Sequence, residues 1–563
     1  MRRRNKALAA AVTLALAAAL AAPAAPQVAS APLSQVDSWG VGWLGANDGA
    51  IPTGFWANTN GDALGPIFTS LQPKDLSPAA RALLRRILLS RSKSPNGGAA
   101  LVPERLRLIE QLGESEHSAD LRKRYADADW GKPGDRLSVE LDLASGKKDA
   151  CARTAGKPAA DRSWMPVRAL CAALAGDINA TNLIAEQVAA TDEAFGVWLM
   201  SATGSLSAPG AKKPDGRYAS AFEAAVSTAA KLSVPANALA NTPADVAAAI
   251  VLNPNATLDQ KRAALRPALD SGLIKSADVL AVLTAKDATP AVKPASTRAT
   301  ASKPDLLAAA LASFATADAK PDERAKAYAA ALKAAESMSD ARLASVALSD
   351  AIKALPKNDL TAPHAEAFAR AALFTGDAKQ AGDWRKLMNT LPKDSADAWT
   401  AARLDLMLSF AGATSEKHNA ILDRLIATAP PAAAPEPGKP AATPKSATAA
   451  DKQLDLRRIE NARALFLYAG MGRDLSPTHR ALLATQRAAG RGVSDAAITR
   501  IVSAADQDAK GEAALAIISL IGPDSSAISF AGLSDLLAQL RRIGLEKDAD
   551  ALALESLQVW KSL

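Results

Sequence analysis

Aromatic residues make up only 4% of this 563-residue chain; cysteine occurs twice and histidine four times. A regular β-sandwich or barrel needs more Val, Ile, Thr and aromatic residues than this chain has. Two cysteines exclude a disulfide-stapled miniature scaffold, and 32 glycines exclude collagen. There is no series of long apolar runs, which excludes a polytopic membrane protein. His117, His364, His418 and His479 are scattered, and no H-E-x-x-H or C-x-x-C pair occurs. No metal site is therefore expected, and each histidine reads as a helix-surface residue. G-x-S-x-G, a P-loop and a G-x-G-x-x-G after a strand are also missing, so neither a catalytic centre nor a cofactor is expected. What is abundant is alanine, roughly a quarter of all residues.

Alanine has the highest helix propensity and lets helix backbones approach closely, but each one buries little area. A fold built from it gains stability from many small neighbouring interfaces. From about residue 60 the chain reads as short amphipathic helices with recurring stop signals. Ser77-Pro78 opens one helix with an N-cap and a proline in the first turn. Leu83, Leu84, Ile87, Leu88 and Leu89 form its apolar side. Gly113, Gly146 and Gly176 follow apolar runs at spacings of 33 and 30 residues, and Gly376 to Gly412 spans 36. Glycine after a helix takes the left-handed turn that ends it, and spacings in the low thirties are those of stacked helix–turn–helix units. Near the end, Leu533, Leu536, Leu537, Leu540 and Ile543 make one apolar stripe, closed by Gly544 and Leu545. Ala549, Leu552, Ala553, Ser556 and Leu557 continue on a returning helix.

The expected fold is therefore all-α, an α-solenoid of helix–turn–helix repeats with Pro/Ala-rich linkers. Its parts are a signal peptide at 1–31, a Gly/Trp-rich arm at 32–59 and a helical array at 60–285. A linker at 286–304, a second array at 305–427, a Pro/Ala-rich linker at 428–450 and C-terminal repeats at 451–563 complete it. The signal peptide is read from the basic start Arg2-Arg3-Arg4, the short apolar stretch Ala7 to Ala22 and the small residues through Ala31. Its removal takes four basic residues and no acids, lowering the net charge from +8 to about +4. That is too dilute for nucleic-acid binding. A periplasmic or secreted location follows, with no transmembrane span after cleavage.

Export makes the cysteines informative. Cys151 and Cys171 lie in two helix-like stretches, Lys148–Ala155 and Trp164–Ala175, and their midpoint, residue 161, falls in the intervening turn. Residues equidistant from the turn of an antiparallel hairpin face each other, so the pair is expected to form a disulfide, closing a loop worth roughly 3 kcal/mol. The alternative is two buried thiols packed as small apolar side chains.

The helix-pair period, with small residues at Ala371, Gly376 and Ala381, resembles tetratricopeptide-like repeat proteins, although the aromatic pattern of that repeat is missing. Such proteins present concave surfaces to other proteins. Pro52 to Trp56, the Leu83–Ser90 run and the segment Arg168 to Asp177 also look like alanine-rich exported bacterial proteins sometimes labelled antifreeze-glycopeptide related. That second resemblance implies no established chemistry, and no Ala-Ala-Thr array is present to meet an ice lattice.

Four local features remain. Trp39, Trp43, Phe55 and Trp56 fall among glycines, which makes two readings available. The indoles Trp39, Trp43 and Trp56 form a stacking surface for a glycan or a partner, or the arm covers the open end of the first repeat. Ser90-Arg91-Ser92-Lys93 matches S-x-x-K without its companion motifs and reads as chance. Glu555-Ser556 has the order found at the catalytic glutamate of lysozyme-like domains. Its helix reads instead as a terminal cap, without the apolar pocket an acid catalyst needs. Asn179-Ala180-Thr181 and Asn255-Ala256-Thr257 match the glycosylation triplet and read as helix caps. The composition thus points to a non-catalytic, envelope-associated scaffold or adaptor whose partners are envelope proteins. The rival is a peptidoglycan-binding protein or a subunit of a cell-wall enzyme.

Overall fold

The computed structural model describes residues 38–558 except 115, 116, 119, 122–133, 145, 156, 158–160, 208–211, 234, 236–241, 270–273, 286–319, 336, 337, 392–396, 430–448 and 487–489. The expected signal peptide, the linker at 286–304, most of the linker at 428–450, Trp130 and Trp560 lie outside the described residues. Among the described residues the fold is all-helical. Among these residues there is no β-strand, only isolated bridges of Leu44 with Ser90, Asn60 with Asn96 and Arg491 with Ile528.

Three helices follow the arm: α1 (Gly61–Ser70), α2 (Pro78–Leu89) and α3 (Val102–Gln111). The next group is α4 (Gly134–Ala144), α5 (Met165–Ala175), α6 (Ile178–Ala189), α7 (Glu193–Ser207), α8 (Ala221–Ala229), α9 (Ala244–Leu252), α10 (Leu258–Leu269) and α11 (Ser276–Thr284). Then come α12 (Pro321–Ala334), α13 (Met338–Lys353), α14 (Ala365–Phe374), α15 (Ala378–Leu387), α16 (Ala398–Phe410) and α17 (His418–Thr428). The last are α18 (Ala449–Gly470), α19 (Pro477–Thr485), α20 (Asp495–Asp506), α21 (Lys510–Ile521), α22 (Phe530–Arg542) and α23 (Glu546–Leu557).

The helix ends obey the local rules. Ser77 Oγ accepts from the Ala80 amide, and Pro78 occupies the first helical position of α2. Gly113, Gly146, Gly176, Gly376, Gly412 and Gly544 all take φ between 68° and 85°, the left-handed region that lets the chain reverse. One triplet supplies its cap and one does not. Thr257 of the second caps α10 through the Gln260 amide, whereas α6 is capped by Asp177, outside the first triplet, through the Ala180 amide. In each case the capping side chain sits one residue before the helix, where its oxygen reaches the free amides of the first turn; Asn179 is already inside α6.

Consecutive helices pair (α5 with α6, α6 with α7, α9 with α10, α14 with α15, α16 with α17), and alternate helices stack (α5 on α7, α12 on α14, α14 on α16). Trp164, Trp198, Trp384 and Trp399 lie in the core, surrounded by Leu, Val and fully buried alanines such as Ala202, Ala248, Ala369 and Ala402. The limb carrying Cys151 is a 3-10 helix, Lys148–Thr154, rather than an α-helix, and it packs against both α4 and α5. The sulfurs of Cys151 and Cys171 are 2.06 Å apart, at disulfide distance.

The succession of contacts returns to its start. α1 packs on α21, and α2 on both α21 and α23. The Ser77 amide donates to Gly522 O (2.6 Å), the Ala79 amide to Glu555 Oε2 (2.6 Å), and Arg86 pairs with Asp548. Glu555 is therefore buried beside the first turn of α2, and α23 is covered by α2 and α16 rather than closing an open end. The leucine stripe of α22 faces α18, leaving the small side chains of α23 to fit beneath α2.

Candidate functional site: the tryptophan arm and the acidic cluster beside it

The arm is threaded by backbone hydrogen bonds onto the extended segment after α2. The Trp43 amide donates to Leu89 O, Ser92 to Trp39 O, Lys93 to Thr53 O and Asn96 to Thr59 O. Arg105 of α3 fastens it from below. This guanidinium is fully buried and donates to four carbonyl contacts, Ser38 O (2.6 Å), Val41 O (2.9 Å) and Leu88 O twice (3.1 and 2.7 Å). It also lies over the Trp39 ring, 5.1 Å from its centroid. A single cation thus satisfies carbonyls that the irregular arm cannot pair by itself.

The structure separates the three sequence-predicted indoles. Trp39 and Trp56 are each 1% exposed and meet edge to face at 5.1 Å, with Phe68 beside both. Trp39 Nε1 donates to Gly98 O (3.0 Å). Neither ring has a face open for stacking in this structure. Trp56 lies against Gly511 of α21, so the arm also contributes to the contact between the two ends of the chain. Trp43 is half-buried and points elsewhere. Its Nε1 donates to Asp120 Oδ2 (2.9 Å), and its ring tilts over His117 at 4.9 Å.

Below Trp43 several ionisable groups converge. His117 Nδ1 donates to Glu114 Oε2 (2.8 Å), and Arg85 of α2 pairs with Glu114 Oε1. Burial works against ionisation of Glu114, but the hydrogen bonds from His117 and Arg85 outweigh it and hold the carboxyl below the usual glutamate value. Across from α3 stands Asp245, in the first turn of α9 and 4% exposed. Its Oδ1 accepts from the Val246 amide (2.9 Å), while its Oδ2 has no hydrogen-bond partner. Burial pushes the Asp245 carboxyl up to about 7; the backbone hydrogen bond opposes this, and the nearby charges of Glu114 and Glu110 add to it. Two carboxyls with pKa values moved in opposite directions are the arrangement that divides acid and base roles.

Sequence reasoning passed over Arg105, Glu114 and Asp245. Arg105 interrupts the apolar stripe of α3 between Val102 and Ile109, and Asp245 is the lone acid in an otherwise apolar α9, so a charge inside an apolar face was the available signal. Ser90 of the S-x-x-K match is buried, donating to Arg86 O and accepting from the Ile51 amide, and acts as a structural hydroxyl. His479, expected at a helix surface, is buried. Its Nδ1 sits 2.9 Å from Asn419 Oδ1 and its Nε2 3.0 Å from Asp423 Oδ1, because α19 folds back against α17. Among the described residues no group of three or more His, Cys, Asp or Glu is placed to hold a metal ion, and no helix is long and apolar enough to cross a membrane.

Comparison with protein-family models, with curated proteins and with solved structures finds no match for this chain.

Proposed function

We propose that the chain is an exported, envelope-associated, non-catalytic scaffold whose tetratricopeptide-like helix pairs stack as an α-solenoid and dock other envelope proteins. The observation that carries this reading is on α6 and α7. Ile178 (49% exposed), Leu183 (58%) and Val197 (54%) present large apolar side chains outward from two adjoining helices. Single exposed apolar residues are ordinary, but three on one helix pair leave area that a partner would cover. The paired and alternate-helix contacts supply the rigid frame such a surface needs. The test is affinity capture from the envelope fraction after mild cross-linking, comparing wild type with Leu183→Asp/Val197→Asp. Proteins captured by the wild type and lost by a variant of unchanged helical content support the scaffold. An identical captured set from both refutes docking on this face.

A second reading, a subunit of a cell-wall enzyme or a peptidoglycan-binding protein, is favoured by the opposed Asp245 and Glu114 carboxyls beside half-exposed Trp43. Asp245→Asn discriminates. If purified peptidoglycan is cleaved by the wild type and not by a folded D245N, the enzyme reading stands. If neither cleaves it, but wild type sediments with it and Trp43→Ala does not, binding without catalysis stands.

A further inference from the structure

The helix pair α6 and α7 runs against the charge of the chain that carries it. The chain's net charge is +8, yet from Gly176 to Ser207 it has the acids Asp177, Glu186, Asp192 and Glu193 and no Lys, Arg or His. All of these acids are exposed. Asp177 and Asp192 each use one oxygen on the first turn of a helix, accepting from the Ala180 and Phe195 amides (both 3.0 Å), which leaves their charge in place. The Glu186 and Glu193 side chains have no hydrogen-bond or ion-pair partner among the described residues.

The acids fall beside the apolar side chains that this pair turns outward. Asp177 adjoins Ile178, Glu186 follows Leu183 by three residues, and Glu193 precedes Val197 by four. Residues three and four apart on a helix are surface neighbours. The two helices also meet closely. A Cβ on Gly196 of α7 would lie 2.3 Å from Ala189 Cα of α6, so no side chain separates the backbones there and the outward side chains border one strip. From Ile178 to the level of Ala189 the strip is about 16 Å long, three turns of helix.

The composition of the strip selects its occupant. A second copy docking by the same face would set acids against acids, and an anionic lipid surface would be repelled. An extended peptide draws its affinity from backbone hydrogen bonds to a sheet edge, and helices whose amides are bonded internally offer none. A helix with apolar residues along one side and bases flanking them needs only what the strip presents. Resting on the reading that this face docks a partner, we propose that the outward face of α6 and α7 seats a basic amphipathic helix of a partner protein. Its apolar side lies on Ile178, Leu183 and Val197, and its lysines or arginines face Asp177, Glu186 and Glu193.

The experiment follows the fluorescence anisotropy of labelled peptides of about eighteen residues, five turns of helix, titrated with the full chain. One is a Leu/Lys peptide with its leucines on one helical face, one has the same pattern in Leu/Glu, and one is a Leu/Lys peptide of identical composition with its leucines scattered. Saturable binding of the patterned Leu/Lys peptide, tighter than either other and weakened by salt, supports the proposal. Leu183→Asp/Val197→Asp is expected to abolish it. Glu186→Gln/Glu193→Gln keeps the apolar strip and is expected to weaken binding about fivefold. Asp359→Asn/Asp495→Asn, which removes two exposed acids elsewhere, should leave it unchanged. All of these positions are exposed, so each variant should keep the helical content of the wild type by circular dichroism. Either other peptide binding as tightly, no effect of Glu186→Gln/Glu193→Gln, or no binding at all overturns the basic helix. A dimer in sedimentation equilibrium that Leu183→Asp/Val197→Asp dissolves also overturns it, by making a second copy the occupant. The scaffold reading fails separately, only if the proteins captured from the envelope are also unchanged by Leu183→Asp/Val197→Asp.

Discussion

Gly511→Ala separates two physical arguments that predict opposite signs. Gly511 lies in the first turn of α21, and replacing glycine by alanine within a helix ordinarily stabilises it by up to about 1 kcal/mol. A Cβ at this position would meet Trp56 Cε3 at 2.1 Å and Cζ3 at 2.4 Å. Carbon atoms pack at roughly 3.5–4 Å, so the ring would have to retreat by more than about 1 Å. It has little freedom to do so. Trp56 is held edge to face by Trp39 at 5.1 Å and by Phe55 at 5.5 Å, with Phe68 at 6.4 Å. Overpacking a filled core costs about 1–3 kcal/mol, which exceeds the propensity gain. The expected net result is destabilisation of up to about 2 kcal/mol, read as a lower urea midpoint with an unchanged slope. Trp56→Ala alone should cost about 3–5 kcal/mol, and in its background Gly511→Ala should turn neutral or stabilising. Hydrogen exchange adds a spatial check: Trp56→Ala should speed exchange in α21, about 450 residues away in sequence but in direct contact. If Gly511→Ala raises the urea midpoint in the wild-type background, the arm does not pack on α21 as described.

Three further outcomes follow from the same contacts. Replacing both cysteines by serine removes a cross-link of 20-residue separation and should lower stability by roughly 3 kcal/mol, measured by urea unfolding against the oxidised wild type. Arg105→Met strips the arm of a cation that satisfies its carbonyls; orphaned carbonyls cost about 1–3 kcal/mol each, so limited proteolysis should cut the variant within residues 38–60 well before the wild type. Asp245 binds its proton more tightly folded than unfolded, because burial pushes its carboxyl from the ordinary 3.8 up to about 7. Stability is therefore unpenalised below about pH 4, falls as pH rises from about 4 towards 7, and stays reduced above that. Asp245→Asn should flatten this fall and be the more stable form at pH 8, as urea midpoints across pH 4.5 to 8 would show.

Much of the fold was legible because it is local. Glycine spacing marks helix ends wherever a left-handed residue must follow the last turn, and Gly113, Gly176 and Gly544 all do so. The Leu533 to Ile543 stripe announces its buried face through a period that needs no partner to be recognised. The cysteine midpoint argument works for the same reason, since a hairpin is a short-range object. What was illegible is long-range. Nothing within α21 says that Gly511 receives an indole from the arm, or within α23 that Glu555 accepts from the Ala79 amide. The acidic cluster was hidden for a further reason. Asp245 and Arg85 come from two different helices and Glu114 from the turn after a third, and a carboxyl's titration depends on what the fold places beside it rather than on its neighbours in sequence.

The meeting of the two ends has a physical rationale in the composition. A stack of helix pairs leaves an apolar face uncovered at each end, and a capping element must cover it. In this chain α1 packs on α21, and α2 on α21 and α23; Phe68, Leu84 and Leu88 on the first pair and Ala513, Ile517 and Leu552 on the second are all buried. Trp39, Phe55, Trp56 and Phe68 concentrate where the ends meet and further aromatics fill the core around α5–α8 and α14–α18, whereas among the described residues α9–α13 bury alanine, leucine, valine and isoleucine but no Trp or Phe. An alanine-rich helical fold gains little from any one contact, so an aromatic-rich contact between its first and last helices is worth more to it than to a protein with a dense aromatic core. On this view the tryptophan arm and the last helices form one cooperative unit. The weakest links then lie in the alanine-lined middle helices, and native-state hydrogen exchange should open α9–α13 before it opens α1, α2, α21 and α23.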